Sequence, residues 1–233
     1  MNMLTIRRFS KATMSKELTK KSLAEFTGTL FLVMVIVGSG IMGENISSNQ
    51  LEILLAHSIA TGAALTALIW IFMSTSGAHF NPAVTLVMYL KKEMSFNNFI
   101  CFILCQICGG LVGAILANTM FDLNFIQFAE TERRGLNIYL GEFIATFGLL
   151  MTILGTRNFD TPIVAPAVGL YITSAIWFTS STSFANPAVT IARGISDTFT
   201  GIHPDFILVF VAFQILGAIS AMFVMNFLQT EQT

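Results

Sequence analysis

Apolar residues in this chain fall into six long runs, at residues 23–43, 51–73, 96–119, 136–155, 163–180 and 205–228, separated by short polar segments. A hydrocarbon core of roughly 30 Å takes about 20 apolar residues in a helix, so each run predicts a membrane-spanning helix. Two segments interrupt this pattern. Residues 74–80 and 179–185 are small, polar and turn-forming, and each leads into the same sequence: Asn81-Pro82-Ala83-Val84-Thr85 and Asn186-Pro187-Ala188-Val189-Thr190. Asn suits a helix N-cap and Pro the first helical position, where its missing N–H is not needed. Short helices are therefore expected to start at Pro82 and Pro187.

Other landmarks repeat in the same order. Glu25-Phe26-Thr27-Gly28-Thr29 in the first run corresponds to Glu142-Phe143-Ile144-Ala145-Thr146 in the fourth, and Gln106 with Gly109 and Gly110 in the third to Gln214 with Gly217 and Ala218 in the sixth. The chain therefore divides into an N-terminal tail (1–22), a first repeat (23–119), an extracellular linker (120–135), a second repeat (136–228) and a C-terminal tail (229–233). Each repeat holds three spans, an odd number, so the second must enter the membrane from the opposite side. This predicts an all-α integral membrane protein with six transmembrane helices and two re-entrant half-helices in an inverted tandem repeat, an arrangement that builds sites near the bilayer midplane.

Composition agrees with the hydropathy pattern. The 233 residues are 54% hydrophobic and 11% charged, with mean hydropathy +0.74, whereas soluble domains carry about 25% charged residues. A formal net charge of −1 argues against nucleic-acid binding. Arg7, Arg8, Lys11, Lys16, Lys20 and Lys21 precede the first run, Lys91 and Lys92 the third, and Arg157 follows the fourth. The positive-inside rule makes these segments, and both termini, cytoplasmic in a plasma membrane. Arg133 and Arg134 fall on the opposite side, interleaved with Glu130 and Glu132. Cys101, Cys105 and Cys108 share one face of the third run and are read as small packing residues rather than a soft-metal site. No nucleophile–base or metal-ligand spacing points to an enzyme.

Non-helical backbone survives at membrane depth only where protein or a water-filled cavity satisfies it, so two re-entrant segments imply a pore between them. The Asn-capped helix ends should meet near its centre. Each N-terminus carries roughly half a positive charge and unpaired N–H groups, which opposes cations and protons but tolerates a neutral hydrogen-bonding solute. Asn81 and Asn186 would donate to such a solute, and carbonyls around residues 77–80 and 182–185 would accept from it. Glu25 and Glu142 are read as braces for the re-entrant loops rather than proton relays, and His79 as a further brace. His57 is expected to pack between helices.

The two Asn-Pro-Ala copies, the Ser76–Thr85 run, the paired glutamates and the paired glutamines resemble the aquaporin and aquaglyceroporin (major intrinsic protein) family. The resemblance implies a homotetramer with one pore per subunit, no cofactor, and passive movement of water and small neutral solutes across the bilayer. It also implies a selectivity filter at Thr61, Ile176, Ser183 and Val189, with Ser174 the alternative to Ile176. Family members usually have Arg where this chain has Val189. The nearest arginine, Arg193, sits one turn further along and is expected to face the outer rim or a lipid headgroup. A wide, uncharged filter follows, suited to glycerol-like polyols. Val189 also resembles the filter of bacterial channels associated with arsenic resistance, so neutral arsenicals join the candidate solutes. The competing readings are a narrow water-selective channel and, from another class, an ion-coupled secondary transporter.

Overall fold

Every apolar run is a helix in the structure, a computed structural model that describes residues 3–159 and 163–229, with side chains from residue 16 onward. Helix α1 spans Met3–Ile46, α2 Gln50–Ser76, α3 Pro82–Leu90, α4 Phe96–Met120, α5 Leu136–Thr156, α6 Val164–Phe178, α7 Pro187–Arg193 and α8 Ile207–Gln229. The backbone of α1 is helical from Met3, so the segment expected as a tail continues into the first span without a break. The side chains of Arg7, Arg8 and Lys11, and residues 230–233 of the C-terminal tail, lie outside the described residues.

Five of these helices are long and apolar enough to cross a membrane by length and composition. The sixth, α6, has 15 residues, about 22 Å at the usual rise per residue. It stops short of the apolar run's end because Thr179 is already extended and its N–H bonds back to Ala175. The half-helices α3 and α7 have 9 and 7 residues and reach only about 14 and 11 Å. Both start at the expected proline. Asn81 accepts from the Ala83 N–H, and Asn186 from those of Ala188 and Val189.

The packing makes the inverted repeat visible. In the first repeat α1 packs on α4, in the second α5 packs on α8, and α2 crosses α6 between them. Glycines permit these approaches. A Cβ on Gly62 would strike the Thr173 hydroxyl and the Gly169 carbonyl; one on Gly169 would strike the Thr66 hydroxyl and the Gly62 carbonyl. Likewise Gly109 admits the Phe26 carbonyl and Gly217 that of Phe143. Small residues let helix backbones meet closely where no hydrophobic force drives helix association in lipid.

The polarity is inside-out. Leu208, Phe227, Leu136 and Leu170 are exposed on the outer surface, whereas Glu25, Glu142, Gln106 and Gln214 are fully buried. Cys108 lies exposed on that surface and Cys101 and Cys105 are half-buried, so this face of α4 packs less deeply than the sequence suggests. Apolar residues from both repeats form one continuous core, with Phe184, Ile202 and Phe210 as a satellite cluster beneath the second re-entrant loop.

Candidate functional site: a channel between two half-helices

The loops before the half-helices have a backbone that their residue types do not favour. Ala78 and Phe80 in the first, and Ser183 and Ala185 in the second, have φ of 51°, 49°, 51° and 49°. Left-handed non-glycine residues cost about 1–3 kcal/mol each and persist only where the surroundings enforce them. Two buried carboxylates supply that constraint. Glu25 Oε1 accepts from the Ser76 hydroxyl at 2.6 Å and the His79 N–H at 3.0 Å, and Oε2 from the Phe80 N–H at 2.7 Å and Gln106 Nε2 at 2.8 Å. Glu142 Oε1 accepts from the Phe184 N–H at 2.9 Å, and Oε2 from the Ala185 N–H at 2.9 Å and Gln214 Nε2 at 2.5 Å. Each glutamine also donates to a half-helix threonine at 2.8 Å, Gln106 to Thr85 and Gln214 to Thr190. Hydrogen bonds to a charged partner are the strong ones, worth about 1.5–3 kcal/mol each.

Between the loops runs a cavity of about 220 Å³, bounded at one end by His57 and Arg193 and at the other by Met88, Arg157 and Val164. At its centre Asn81 Nδ2 donates to the Ala185 carbonyl and Asn186 Nδ2 to the Phe80 carbonyl, both at 2.8 Å. Each carboxamide therefore has a second N–H to offer, and both asparagines line the cavity. Pro82, Ala83, Pro187 and Ala188 are buried in the half-helix starts behind them. His79 lines the cavity beside Asn81, its Nδ1 3.1 Å from the Thr85 hydroxyl.

Toward the Arg193 end, Thr61, Ile176, Ser183 and Val189 all line the cavity. Two of these walls are apolar and two carry hydroxyls. Neither Thr61 Oγ1 nor Ser183 Oγ has a hydrogen-bond partner among the described residues, although both are buried. Ser174 is exposed on the other side of α6, its hydroxyl bonded to the Tyr171 carbonyl at 2.8 Å.

One expectation needs correction. Arg193 does not face lipid: it is 3% exposed, stacks over Phe184 with its guanidinium carbon 3.2 Å from the ring centroid, and lines the channel mouth. The half-helix α7 is enclosed by α1, α4 and α8, so its last turn has no lipid side to face. His57 packs as expected, with Nδ1 2.9 Å from the Ser39 hydroxyl, but it also lines the mouth. One contributor escaped the sequence reading. Arg133 comes from the linker, which is tied over α7 by bonds from the Gln127 N–H to Ile195 and from the Ala129 N–H to Gly194, and it reaches the vestibule beyond Arg193. At the opposite end Arg157 forms a bidentate pair with Glu93, both contacts at 2.8 Å.

No Asp or Glu is among the described residues lining this cavity. A cation inside would therefore meet the positive ends of two half-helices with no carboxylate to rest on. A neutral solute would find hydrogen-bonding groups spaced along an otherwise apolar wall.

Comparison with known proteins agrees with this geometry. The chain is 43% identical over 212 residues to Aquaglyceroporin AqpS of Rhizobium meliloti, covering 91% of each chain. It is 31% identical over 195 residues to Aquaporin C of Dictyostelium discoideum, covering 78% of this chain and 71% of that one. Among solved structures, the aquaglyceroporin from Plasmodium falciparum superimposes with a TM-score of 0.71 at 18% identity, over 88% of this chain and 94% of that one, a likeness of fold. The profile described as Major intrinsic protein matches residues 12–160, and on these grounds the chain belongs to the major intrinsic protein family.

Proposed function

We propose that this protein is a passive channel for water and small neutral solutes, with a wide filter at Thr61, Ile176, Ser183 and Val189 that lacks the usual arginine. The observation that carries the reading is the mixed wall: Ile176 and Val189 line it with apolar surface, while Thr61 Oγ1 and Ser183 Oγ, on the same wall, have no hydrogen-bond partner among the described residues. A polyol presents hydroxyls on one side and C–H on the other, and such a wall matches both. Val189 leaves no fixed charge and no fork of donors at its level, so glycerol-sized solutes fit, and neutral arsenous acid shares their size and hydrogen bonding. The likeness to a bacterial aquaglyceroporin supports this solute class.

Selection against cations falls to the half-helix ends and the asparagine pair, while Glu25, Glu142 and His79 hold the loops that position them. The protein moves solutes rather than converting them. The positive-inside rule applied to Lys91, Lys92 and Arg157 supports an Arg157 mouth on the cytoplasmic side of a bacterial plasma membrane, both termini cytoplasmic and the Arg193 mouth outside. Four copies side by side, each with its own pore, form the working unit.

One observation favours the narrower, water-selective reading: Arg193 turns toward the mouth and could restrict it. Stopped-flow light scattering on proteoliposomes separates the two. Re-swelling in a glycerol gradient, faster than in empty vesicles, supports the wide filter; water passage with complete glycerol exclusion overturns it.

A further inference from the structure

Two arginines reach the outer end of the channel from different parts of the chain, and both lie over one ring. The guanidinium carbon of Arg193 is 3.2 Å from the Phe184 centroid and that of Arg133 is 4.8 Å from it. Arg193 uses Nε on the Thr200 carbonyl; among the described residues its two terminal nitrogens take no hydrogen bond. Arg133 Nε donates to the Gly201 carbonyl at 2.8 Å, but its terminal nitrogens approach Ser181, Thr182 and Phe199 only at 3.4–3.5 Å. Burial pushes the pKa of Arg133 down to about 10, so it remains charged at neutral pH.

Neither guanidinium forms an ion pair among the described residues. The carboxylate whose charge reaches both, Glu142, has its oxygens taken by the Phe184 and Ala185 N–H groups and Gln214. A buried charge without a counter-charge is costly, and leaving two together compounds the cost. Arg133 and Arg193 both line a vestibule of about 280 Å³, whose walls also include His57, Thr182 and Phe199.

We infer that this vestibule is a binding site for a small oxyanion of the carboxylate or phosphate class, held between Arg133 and Arg193. Guanidinium forks match the geometry of such anions. The ion comes from solution rather than from a lipid, because the vestibule shares His57, Thr182 and Arg193 with the channel itself. It stops there: Ile176 and Val189 lie next along the path, and an ion crossing them would lose hydration with nothing in return. An occupied vestibule therefore obstructs the pore. The binding claim goes beyond the solute reading and stands or falls separately from glycerol permeation.

The test uses the full chain in a phosphate-free detergent, its thermal unfolding midpoint titrated with sodium phosphate or sodium acetate at ionic strength fixed with chloride. The expected result is a saturable rise above the chloride control, with half-saturation weakened about tenfold or more in Arg193→Gln and in Arg133→Gln. In vesicles the same anion added to wild type should slow water flux. No rise above chloride, a rise unaltered in both variants, or a rise without any slowing of flux would each overturn the inference. Should one variant fail to fold, the other and the wild-type comparison of phosphate with chloride still decide it.

Discussion

Asn81 and Asn186 cross-tie the two repeats: each carboxamide donates at 2.8 Å to the carbonyl just before the other asparagine, on Ala185 and Phe80 respectively. The same side chains cap their own half-helices through the carboxamide oxygen. One residue type thus fixes the helix start, joins the loops and presents a donor to the lumen. Asn186→Asp retains the capping oxygen but removes the donor to Phe80 and adds a negative charge between two positive helix ends. Cation or proton leak through vesicles carrying this variant should rise, measured as dissipation of an imposed membrane potential. A leak no greater than wild type would show that the central charge balance does not set ion exclusion.

The left-handed residues at Ala78, Phe80, Ser183 and Ala185 are sustained by Glu25 and Glu142. Replacing either glutamate by glutamine removes the charge and turns part of an acceptor-only group into a donor facing other donors. A loss of about 3 kcal/mol is expected for each, read as a lower unfolding midpoint in detergent together with reduced water flux. Glu25 accepts four hydrogen bonds and Glu142 three. Glu25→Gln should therefore be the more damaging, and the reverse order would contradict the bracing role.

Gly62 and Gly169 admit each other's backbone across the α2–α6 contact, where an added methyl has no room. Gly62→Ala should cost about 1–3 kcal/mol through overpacking. Gly155 is the control, since its Cβ would meet only the Met225 methyl at 3.5 Å. Gly155→Ala should be neutral or stabilising by about 0.5 kcal/mol. Thermal unfolding of the two variants side by side checks the pair; equal effects would mean the α2–α6 contact is not the tight one.

The span pattern and the Asn-Pro starts of α3 and α7 were legible in the sequence because length, hydropathy and capping are local properties. The duplication matched Glu25 to Glu142 and Gln106 to Gln214 as equivalents, but the bond from each glutamine to its glutamate spans 81 and 72 positions of chain respectively and carried no local signal. The left-handed backbone could not, since it falls on alanine, phenylalanine and serine, which carry no signal for positive φ. Arg193 was hidden for another reason. A helical-wheel argument says which side of α7 it occupies, but not that other helices surround that side. Arg133 lies in a polar linker whose path over α7 depends on backbone bonds to residues 194 and 195, far away in the chain. Its place in the vestibule follows from tertiary structure alone.

The central claim is that Val189 leaves the filter wide and uncharged, and Val189→Arg tests it most directly. Glycerol and water permeabilities of wild type and variant are to be compared by stopped-flow light scattering in the same proteoliposomes. The account predicts that glycerol flux falls about tenfold or more while water flux is largely retained. An unchanged glycerol-to-water ratio would contradict it and move the selective constriction away from Val189.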